Sequence, residues 1–574
     1  MIASASTLKP GLSALGKRWN RPDDSPAEAK ALAATLKVPL IVATLLWQRG
    51  FRTPETAQAF LDPRLQNLGD PFALTDLQKA AERIWQAVEK QEKIVIFGDY
   101  DVDGITSSTL LWRVLRKLGA TQAVPFLPHR IEEGYGLSQD GVERCVAEHA
   151  PRLLIAVDCG TTAPDQVDWL NKQGVEVIIV DHHALAERKP AAVALVNPQQ
   201  DGRYEYLASV GLIFKLCHGL LKVRPEAQKK VDLKEYLDLV AVGTVADIVP
   251  LVDDNRIFVR RGLVQLMNTI NPGLRALCQV SQIRGTPTTQ DVGFRIGPRL
   301  NASGRLGDAS LSLRLLTTDS EEEALKITRE LDSNNRERQG LEQTILEEAQ
   351  RVLLESVNPV DERAIVLASR GWHVGVIGIV ASRIQRAHHR PTIIIGIDEN
   401  GVGKGSGRSI EGCSLVDGLT QCSEHLMLYG GHEMAAGLTI AEDKVEAFRG
   451  AFSQYARTVL REEHLQPTLE LSGAIELSEL NTTLFHQIQQ LAPFGRENPE
   501  PIFVFNGTKC RRAAKNFGRN HFKLALDIGG GECEAVAFGL AQHTPPGSGH
   551  PLAGVLDWDD YHHRVQIRLL DWQG

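Results

Sequence analysis

An α/β fold followed by a small β-barrel is what the sequence predicts, and three observations carry that expectation. Apolar runs rich in Val and Ile recur with helical stretches between them: "KIVIF" (93–97), "RLLIAV" (152–157), "VEVIIV" (175–180) and "AVALV" (192–196). They lack the polar alternation of a half-exposed sheet, so they read as parallel strands buried on both faces. A charge-dense stretch over 320–356 has no Pro and reads as a long, largely solvated helix between domains. From about residue 465 the pattern becomes short segments such as "PIFVFNG", "HFKLALDI", "CEAVAFG" and "HRVQIRLL", separated by turn residues, as in a barrel.

Taken in order, the expected organisation is an N-terminal segment (1–75), the parallel-sheet domain (76–319), the connecting helix (320–358), a second α/β domain (359–462) and the barrel domain (463–574). The second α/β set begins at "RAIVLAS" (363–369) and continues through "PTIIIGI" (391–397). With 574 residues, 43% hydrophobic and 23% charged, the chain can build several cores. No apolar run reaches the about 18 residues that cross a bilayer, and "MIASASTLKPGLSALGKRWN" lacks the apolar core of a signal peptide. A cytoplasmic protein with no membrane partner is expected. The eight cysteines are scattered without a CxxC pair, which suggests neither a disulfide framework nor a zinc ribbon. A net charge of −8 argues against indiscriminate coating of nucleic acid, so any basic contact surface has to be local. No internal repeat or low-complexity tract is visible.

The chemistry concentrates at the carboxyl ends of the apolar runs, where ligands bind in a doubly wound sheet. "IVIFGDYDVDGITSS" puts Asp99, Asp101 and Asp103 after the first run. "RLLIAVDCG" ends in Asp158, "VEVIIVDHH" in Asp181, His182 and His183, and "YLDLVAVGTVADIVPL" delivers Asp247. Any one of these aspartates alone reads best as a helix or turn cap. Brought together they repel one another strongly at low effective dielectric unless cations neutralise them. Oxygen-rich ligation with one or two imidazoles suits Mn²⁺ or Mg²⁺.

"DYDVDG", "VDCG", "DHH" and "ADIVP", in that order, resemble the signature of the DHH phosphoesterase superfamily. "GPRLNASGRLG" (297–307) and "GGHEMAAG" (430–437) look like the later motifs of its RecJ branch, the single-strand-specific 5′ to 3′ DNA exonucleases. The resemblance runs from about residue 70 to the end. It implies a DHH catalytic domain, a connecting helix, a DHH-associated α/β domain and a C-terminal OB-fold. It also implies the function: metal-dependent degradation of single-stranded DNA from the 5′ end to 5′-mononucleotides in recombination and repair. Single-stranded DNA is the implied partner, with a single-strand-binding protein and a helicase as further ones.

The family's metal ligands carry over onto Asp101, Asp103, Asp158, His182 and Asp247, for two ions, Mn²⁺ or Mg²⁺. Asp99 and His183 lie in the same motifs as groups that shape the site; His183 can orient a ligand, assist proton transfer to the leaving group, or be structural. Related pyrophosphatases place a histidine ahead of the first aspartates where this chain has Phe97, a departure that bears on recruitment of the second ion. Ser406, Gly407 and Arg408 in "GVGKGSGRS" resemble the stretch facing the terminal phosphate; the spacing is not that of a Walker loop. Gly430, Gly431 and His432 follow the same logic, and Arg130, Arg299, Asn301 and Arg305 are candidate strand-path or phosphate contacts. In the last domain, Lys509, Arg511, Arg512, Lys515, Arg519 and Lys523 occur without an acidic residue among them, interleaved with Phe517, His521 and Phe522. Basic residues that track a backbone, with rings for bases to stack on, are what sequence-tolerant single-strand binding requires. Two other readings stand beside this one. The first is a DHH phosphoesterase acting on oligoribonucleotides or cyclic dinucleotides; the second is a non-catalytic single-strand-binding scaffold.

Overall fold

The computed structural model describes residues 11–22, 26–129, 133–134, 136–306, 309–356 and 362–574. The chain divides into two compact units: 59–338 with 492–499, and the residues up to 58 with 339–491 and 500–574.

In the first unit, the buried apolar runs form strands β1 (Ile94–Gly98), β2 (Ala123–Phe126), β3 (Leu153–Val157), β4 (Glu176–Val180) and β5 (Ala194–Val196). All are parallel, in the order β2-β1-β3-β4-β5. Helices α1 (Leu77–Glu89), α2 (Val102–Leu118), α3 (Gln139–His149), α4 (Pro164–Lys172), α5 (Ser209–Val223) and α6 (Leu237–Ala246) accompany them. Along β1, Ile94 and Ile96 enter one core with α1, α2 and α5, while Val95 and Phe97 enter the other with α3 and α4. Burial on both faces is why these strands show no polar alternation. The sheet order reverses between β1 and β3, the switch point at which an open α/β sheet presents its ligand crevice.

The unit continues through α7 (Asp253–Met267), a π-helical turn at Val292–Ile296 and α8 (Gly297–Leu306) into α9 (Glu321–Ser356). The last is the expected connecting helix, 36 residues long, but it is not largely solvated. Ala324, Ile327 and Leu331 enter the first unit's core, and Ile345, Leu346, Ala349 and Leu353 enter a core of the second. Spaced at three and four residues, they form an apolar stripe that the dense charge between them hides from a composition count.

In the second unit, β6 (Ile365–Arg370), β7 (Thr392–Ile397), β8 (Val402–Arg408), β9 (Leu428–Gly431) and β10 (Ala435–Ala441) form a sheet in the order β9-β10-β8-β7-β6. Only β6 and β7 run parallel. Helices α10 (Ile377–His388) and α11 (Val445–Val459) cover opposite faces. The C-terminal strands are β11 (Gly473–Ala474), β12 (Phe503–Phe505), β13 (Cys510–Phe517), β14 (His521–Asp527), β15 (Glu532–Phe538), β16 (Leu552–Asp559) and β17 (Arg564–Trp572). They make one mixed sheet in the order β11-β12-β16-β17-β15-β14-β13. This corrects the expected barrel: among the described residues the sheet does not close. Edge strand β11 has two residues, and the other edge strand, β13, carries two register shifts against β14. The N-terminal stretch Arg18–Asn20 pairs in parallel with Thr468–Glu470. Ser13 Oγ and Trp19 Nε1 donate to Asp571 Oδ2 at 2.6 and 3.1 Å. Among the described residues no single helix is long and apolar enough to cross a membrane.

Candidate metal centre and nucleic-acid contacts

Backbone registry explains why distant aspartates converge. Asp99, Asp158 and Asp181 each follow the last residue of β1, β3 and β4, and each continues its strand's ladder by one bond. Asp99 N donates to Val157 O (3.3 Å), Asp158 N to Val180 O (3.0 Å) and Asp181 N to Val196 O (3.1 Å). Three neighbouring strand ends therefore present a carboxylate at one level. Asp158 adopts a left-handed backbone (φ 63°), a conformation that Asp tolerates better than most residues.

Asp101 is the N-cap of α2, accepting from Gly104 N at 3.0 Å, so the plain capping reading holds for it as well. Gly104 sits where any Cβ would collide with the Asp99 carbonyl, which is why a glycine follows the third aspartate. Asp103, in the first turn of α2, is fully enclosed. Its Oδ2 and Oδ1 accept from Ser209 N (2.7 Å) and Val210 N (2.9 Å), the positive end of α5. Ser209 Oγ also donates to Asp158 Oδ1 at 2.8 Å. Asp247 follows α6, and its buried Oδ2 has no hydrogen-bond donor among the described residues.

His182 Nε2 lies 3.5 Å from Asp158 Oδ1 and 3.6 Å from Asp247 Oδ2. Ligand atoms of Asp103, His182 and Asp247 fall within 4.8 Å of one another, as do those of Asp99, Asp101 and Asp158 and those of Asp158, His182 and His183. Electrostatics mark the cluster as built for cations. Burial, then the charge of Asp101, lifts the Asp103 carboxyl to about 7. Burial, then Asp103 and Asp101, lifts Asp247 to about 9. Asp158 is raised well above the carboxylate range by burial and then by four surrounding aspartates. A site whose own carboxylates oppose one another's ionisation, and which holds an orphaned buried oxygen, fits hard divalent metal.

The two histidines are driven apart. Burial and the His183 charge push His182 down to about 4, leaving a neutral imidazole of the kind metals bind. Burial opposes protonation of His183 too, but its 2.7 Å bond from Nδ1 to Asp181 Oδ1 outweighs that and lifts it to about 9. Asp181, absent from the ligand set expected from sequence, is itself oriented by the backbone N–H groups of Thr161 (3.1 Å), His182 (2.8 Å) and His183 (3.2 Å). Burial would raise it, yet the His183 bond and charge hold it well below the usual range. Its position one residue before the histidines was the available signal. Ser209, the other group missed, gave none, because its relevance depends on where α5 begins.

Of the expected nucleic-acid contacts, Arg130 lies outside the described residues. Arg299, Asn301 and Arg305 lie on α8, which packs on the aspartate loop through Gly304 beside the Tyr100 carbonyl. Arg299 is engaged by Asp332 of α9, with Nε and Nη2 2.9–3.0 Å from Oδ1. In the second unit, Ser406, Gly407 and Arg408 end β8. Arg408 Nη1 donates to Ser406 Oγ at 3.2 Å and to Gly407 O at 2.6 Å. The first turn of α10 approaches closely at Gly378, where a Cβ would sit 3.0 Å from Ser406 Oγ and 3.2 Å from Arg408 Nη2. Gly430 and Gly431 lie on β9, and exposed His432 is in the turn to β10.

Half of the basic run of the last domain is neutralised across strands. Arg511 pairs with Asp527 (3.0 Å), Arg512 with Glu532 (2.5 Å) and Lys523 with Glu534 (2.7 Å). Lys509, Lys515 and Arg519 remain exposed without such pairs among the described residues. Phe522 is core, while Phe517, His521 and Phe538 form a ring cluster with centroids 5.4–6.2 Å apart. Phe538, 51% exposed, was not among the sequence candidates.

Residues 93–244 match the DHH family, N-terminal domain, residues 361–458 the DHHA1 domain and residues 471–571 the RecJ OB domain. The single-stranded-DNA-specific exonuclease RecJ of Bacillus subtilis is 36% identical over 566 residues, covering 96% of this chain and 70% of that one. The same-named protein of Escherichia coli is 33% identical over 557 residues, covering 93% of this chain and 95% of its own. The crystal structure of RecJ from Thermus thermophilus in complex with Mn²⁺ superposes with a TM-score of 0.83 at 31% identity, covering 97% of this chain and 79% of that one. With the three domains in one order, matches along nearly the full length and a carboxylate–histidine centre at the sheet's switch point, this chain belongs to the RecJ family of single-stranded-DNA-specific exonucleases.

Proposed function

We propose that this protein is a metal-dependent exonuclease that degrades single-stranded DNA from its 5′ end to 5′-mononucleotides, in recombination and repair in the cytoplasm. The observation that carries the reading is the convergence of Asp99, Asp101, Asp103, Asp158, His182 and Asp247 on the switch point of one sheet. Asp101, Asp103, Asp158, His182 and Asp247 would hold two divalent ions. When bound, such ions supply Lewis acidity toward the scissile phosphate and a nucleophile at neutral pH.

The chain's own groups do the rest. Ser209 and the amino end of α5 orient the Asp103 and Asp158 carboxylates, so they need not reorganise when the site fills. Asp181 holds His183 Nδ1 at 2.7 Å and favours its charged form, in which Nε2 carries a proton for the departing 3′ oxygen. Ser406, Arg408 and the amide groups at the start of α10 form a cradle for the terminal 5′ phosphate, which carries more negative charge than an internal diester. A single-strand-binding protein and a helicase fit as suppliers of the strand.

The test is a single strand labelled at either end, incubated with Mn²⁺, Mg²⁺ or EDTA, with products sized over time. Mononucleotides released from the 5′ end only in metal support the reading, and release from the 3′ end overturns the polarity. Arg408→Ala should narrow the rate advantage of a 5′-phosphorylated strand over a 5′-hydroxyl one.

A further inference from the structure

Residues 492–499, "APFGRENP", leave the second unit's sequence neighbours and count with the first unit, beside Asp247. The segment is a hydrogen-bonded turn. Gly495 and Asn498 exchange backbone bonds of 2.9 and 3.2 Å, and buried Asn498 Nδ2 donates to Pro493 O at 2.7 Å. It is also fastened on both sides of the metal centre's rim. Leu251 N, four residues after Asp247, donates to Arg496 O at 2.9 Å. Thr289 Oγ1, at the start of the helix that runs into the π turn, donates to Phe494 O at 2.7 Å.

This anchoring ties to one rim three residues that the metal centre does not use. Arg496 is exposed, and among the described residues no carboxylate or acceptor engages its guanidinium; its charge is among those that the Asp247 carboxyl feels. Phe294 is 75% exposed at the middle of the π turn Val292–Ile296. That turn abuts the end of α6: a Cβ on Gly297 would lie 3.7 Å from Ala246, the residue before Asp247. Ile248, the residue after it, is 68% exposed in a left-handed backbone (φ 59°) that a β-branched residue rarely adopts. Strained backbone, a π turn and large apolar side chains held in water are costly features, and they gather at functional rims.

We infer that Arg496, Phe294 and Ile248 form a nucleotide subsite next to Asp247, in which Arg496 takes a backbone phosphate and Phe294, backed by Ile248, takes the face of a base. Thr289, five residues before Phe294, is bonded to the residue two before Arg496, so an unpaired cation and an exposed ring are tied to one rim; that is the pairing that single-strand grooves use, charge for the backbone and a ring for any base. The inference rests on the exonuclease reading and adds where the strand runs at the metal centre. Arg496 and Phe294 are here positioning residues for substrate.

The experiment measures binding of fluorescent oligothymidylate to the full chain in EDTA over a salt series, and degradation of the same strand in Mn²⁺. Arg496→Ala should weaken binding and lower the slope of log affinity against log salt by about 0.7, the value for one phosphate contact on a single strand. Arg496→Lys should restore the slope. Phe294→Ala should weaken binding about tenfold with the slope unchanged, and both variants should raise KM more than they lower kcat. Arg188→Ala, which removes an arginine paired with Asp165 and Asp168 instead, should leave the slope alone. If the wild type degrades the strand while Arg496→Ala keeps its slope and Phe294→Ala its affinity, the subsite is overturned and the exonuclease reading stands. If the wild type neither binds nor degrades single strands, both fall together.

Discussion

Asp103 and Asp181 show how one residue type takes opposite roles from its surroundings. Asp103 is crowded by carboxylates and resists ionisation, whereas Asp181 is surrounded by donors and stays charged. Asp103→Ala should cut cleavage by more than about a hundredfold while single-strand binding survives, checked by single-turnover degradation beside equilibrium binding. Its loss strands two N–H groups of α5 but also relieves carboxylate repulsion, so the stability change should be small in chelator. Asp181→Asn removes the charge that holds His183 at about 9. The His183 titration, followed by NMR of the metal-free protein labelled at histidine, should then move down toward about 6.5. Near pH 8 the wild-type ring should then be charged and the variant's neutral. An unmoved midpoint would show that Asp181 does not control that proton.

At the level of elements, α9 and the C-terminal sheet each behave differently from what their charge content suggests. The helix buries a stripe on either side of its middle, so Leu331→Ala should destabilise the protein by about 2–5 kcal/mol. Glu337→Ala, on its exposed face, should change stability by less than about 0.5 kcal/mol; calorimetric unfolding separates the two. In the sheet, Arg512 is already paired by Glu532, and exposed pairs contribute little to stability. Lys515 and Arg519 carry the uncompensated charge of the face that shares Phe517, His521 and Phe538. Lys515→Ala with Arg519→Ala should lower the salt slope of single-strand binding by about 1.4, and Arg512→Ala should change it less. Equal slopes for both variants would move the strand away from this face.

For the molecule as a whole, the metal centre couples ionisation to stability. Asp103, Asp247 and His183 have folded-state values raised above their ordinary ones, to about 7, about 9 and about 9. Groups raised in this sense contribute stability that is fully present below their unfolded values and lost as pH rises through the folded ones. The metal-free protein should therefore melt at progressively lower temperature as pH climbs through about 7 to about 9. Saturating Mn²⁺ should flatten that decline and raise Tm, because cations replace the protons that the cluster retains. Calorimetry in buffers of different ionisation enthalpy should record proton release on metal uptake near neutral pH; no release would mean that the cluster is already ionised.

By itself the sequence determined the parallel sheet, the α/β second domain, the long helix and the set of carboxylates and histidines that strand ends bring to one edge. Strand-end aspartates after apolar runs are local signals, and the rule that ligands gather beyond strand ends turns them into a candidate site without further information. Tertiary structure alone decided the rest, because those features depend on pairings between distant segments. Glu532 and Glu534 neutralise Arg512 and Lys523 only once β13, β14 and β15 are side by side. The apolar stripe of α9 acquires meaning from the cores it enters, and the mixed order of the C-terminal sheet comes from pairings between strands far apart in the chain. Ser209 becomes a support for Asp103 and Asp158 because α5 happens to begin beside them, and Arg496 reaches the neighbourhood of Asp247 across some 250 residues of chain through one backbone bond to Leu251. Spacing in sequence records what each strand end offers; which distant backbone closes around it is settled by packing.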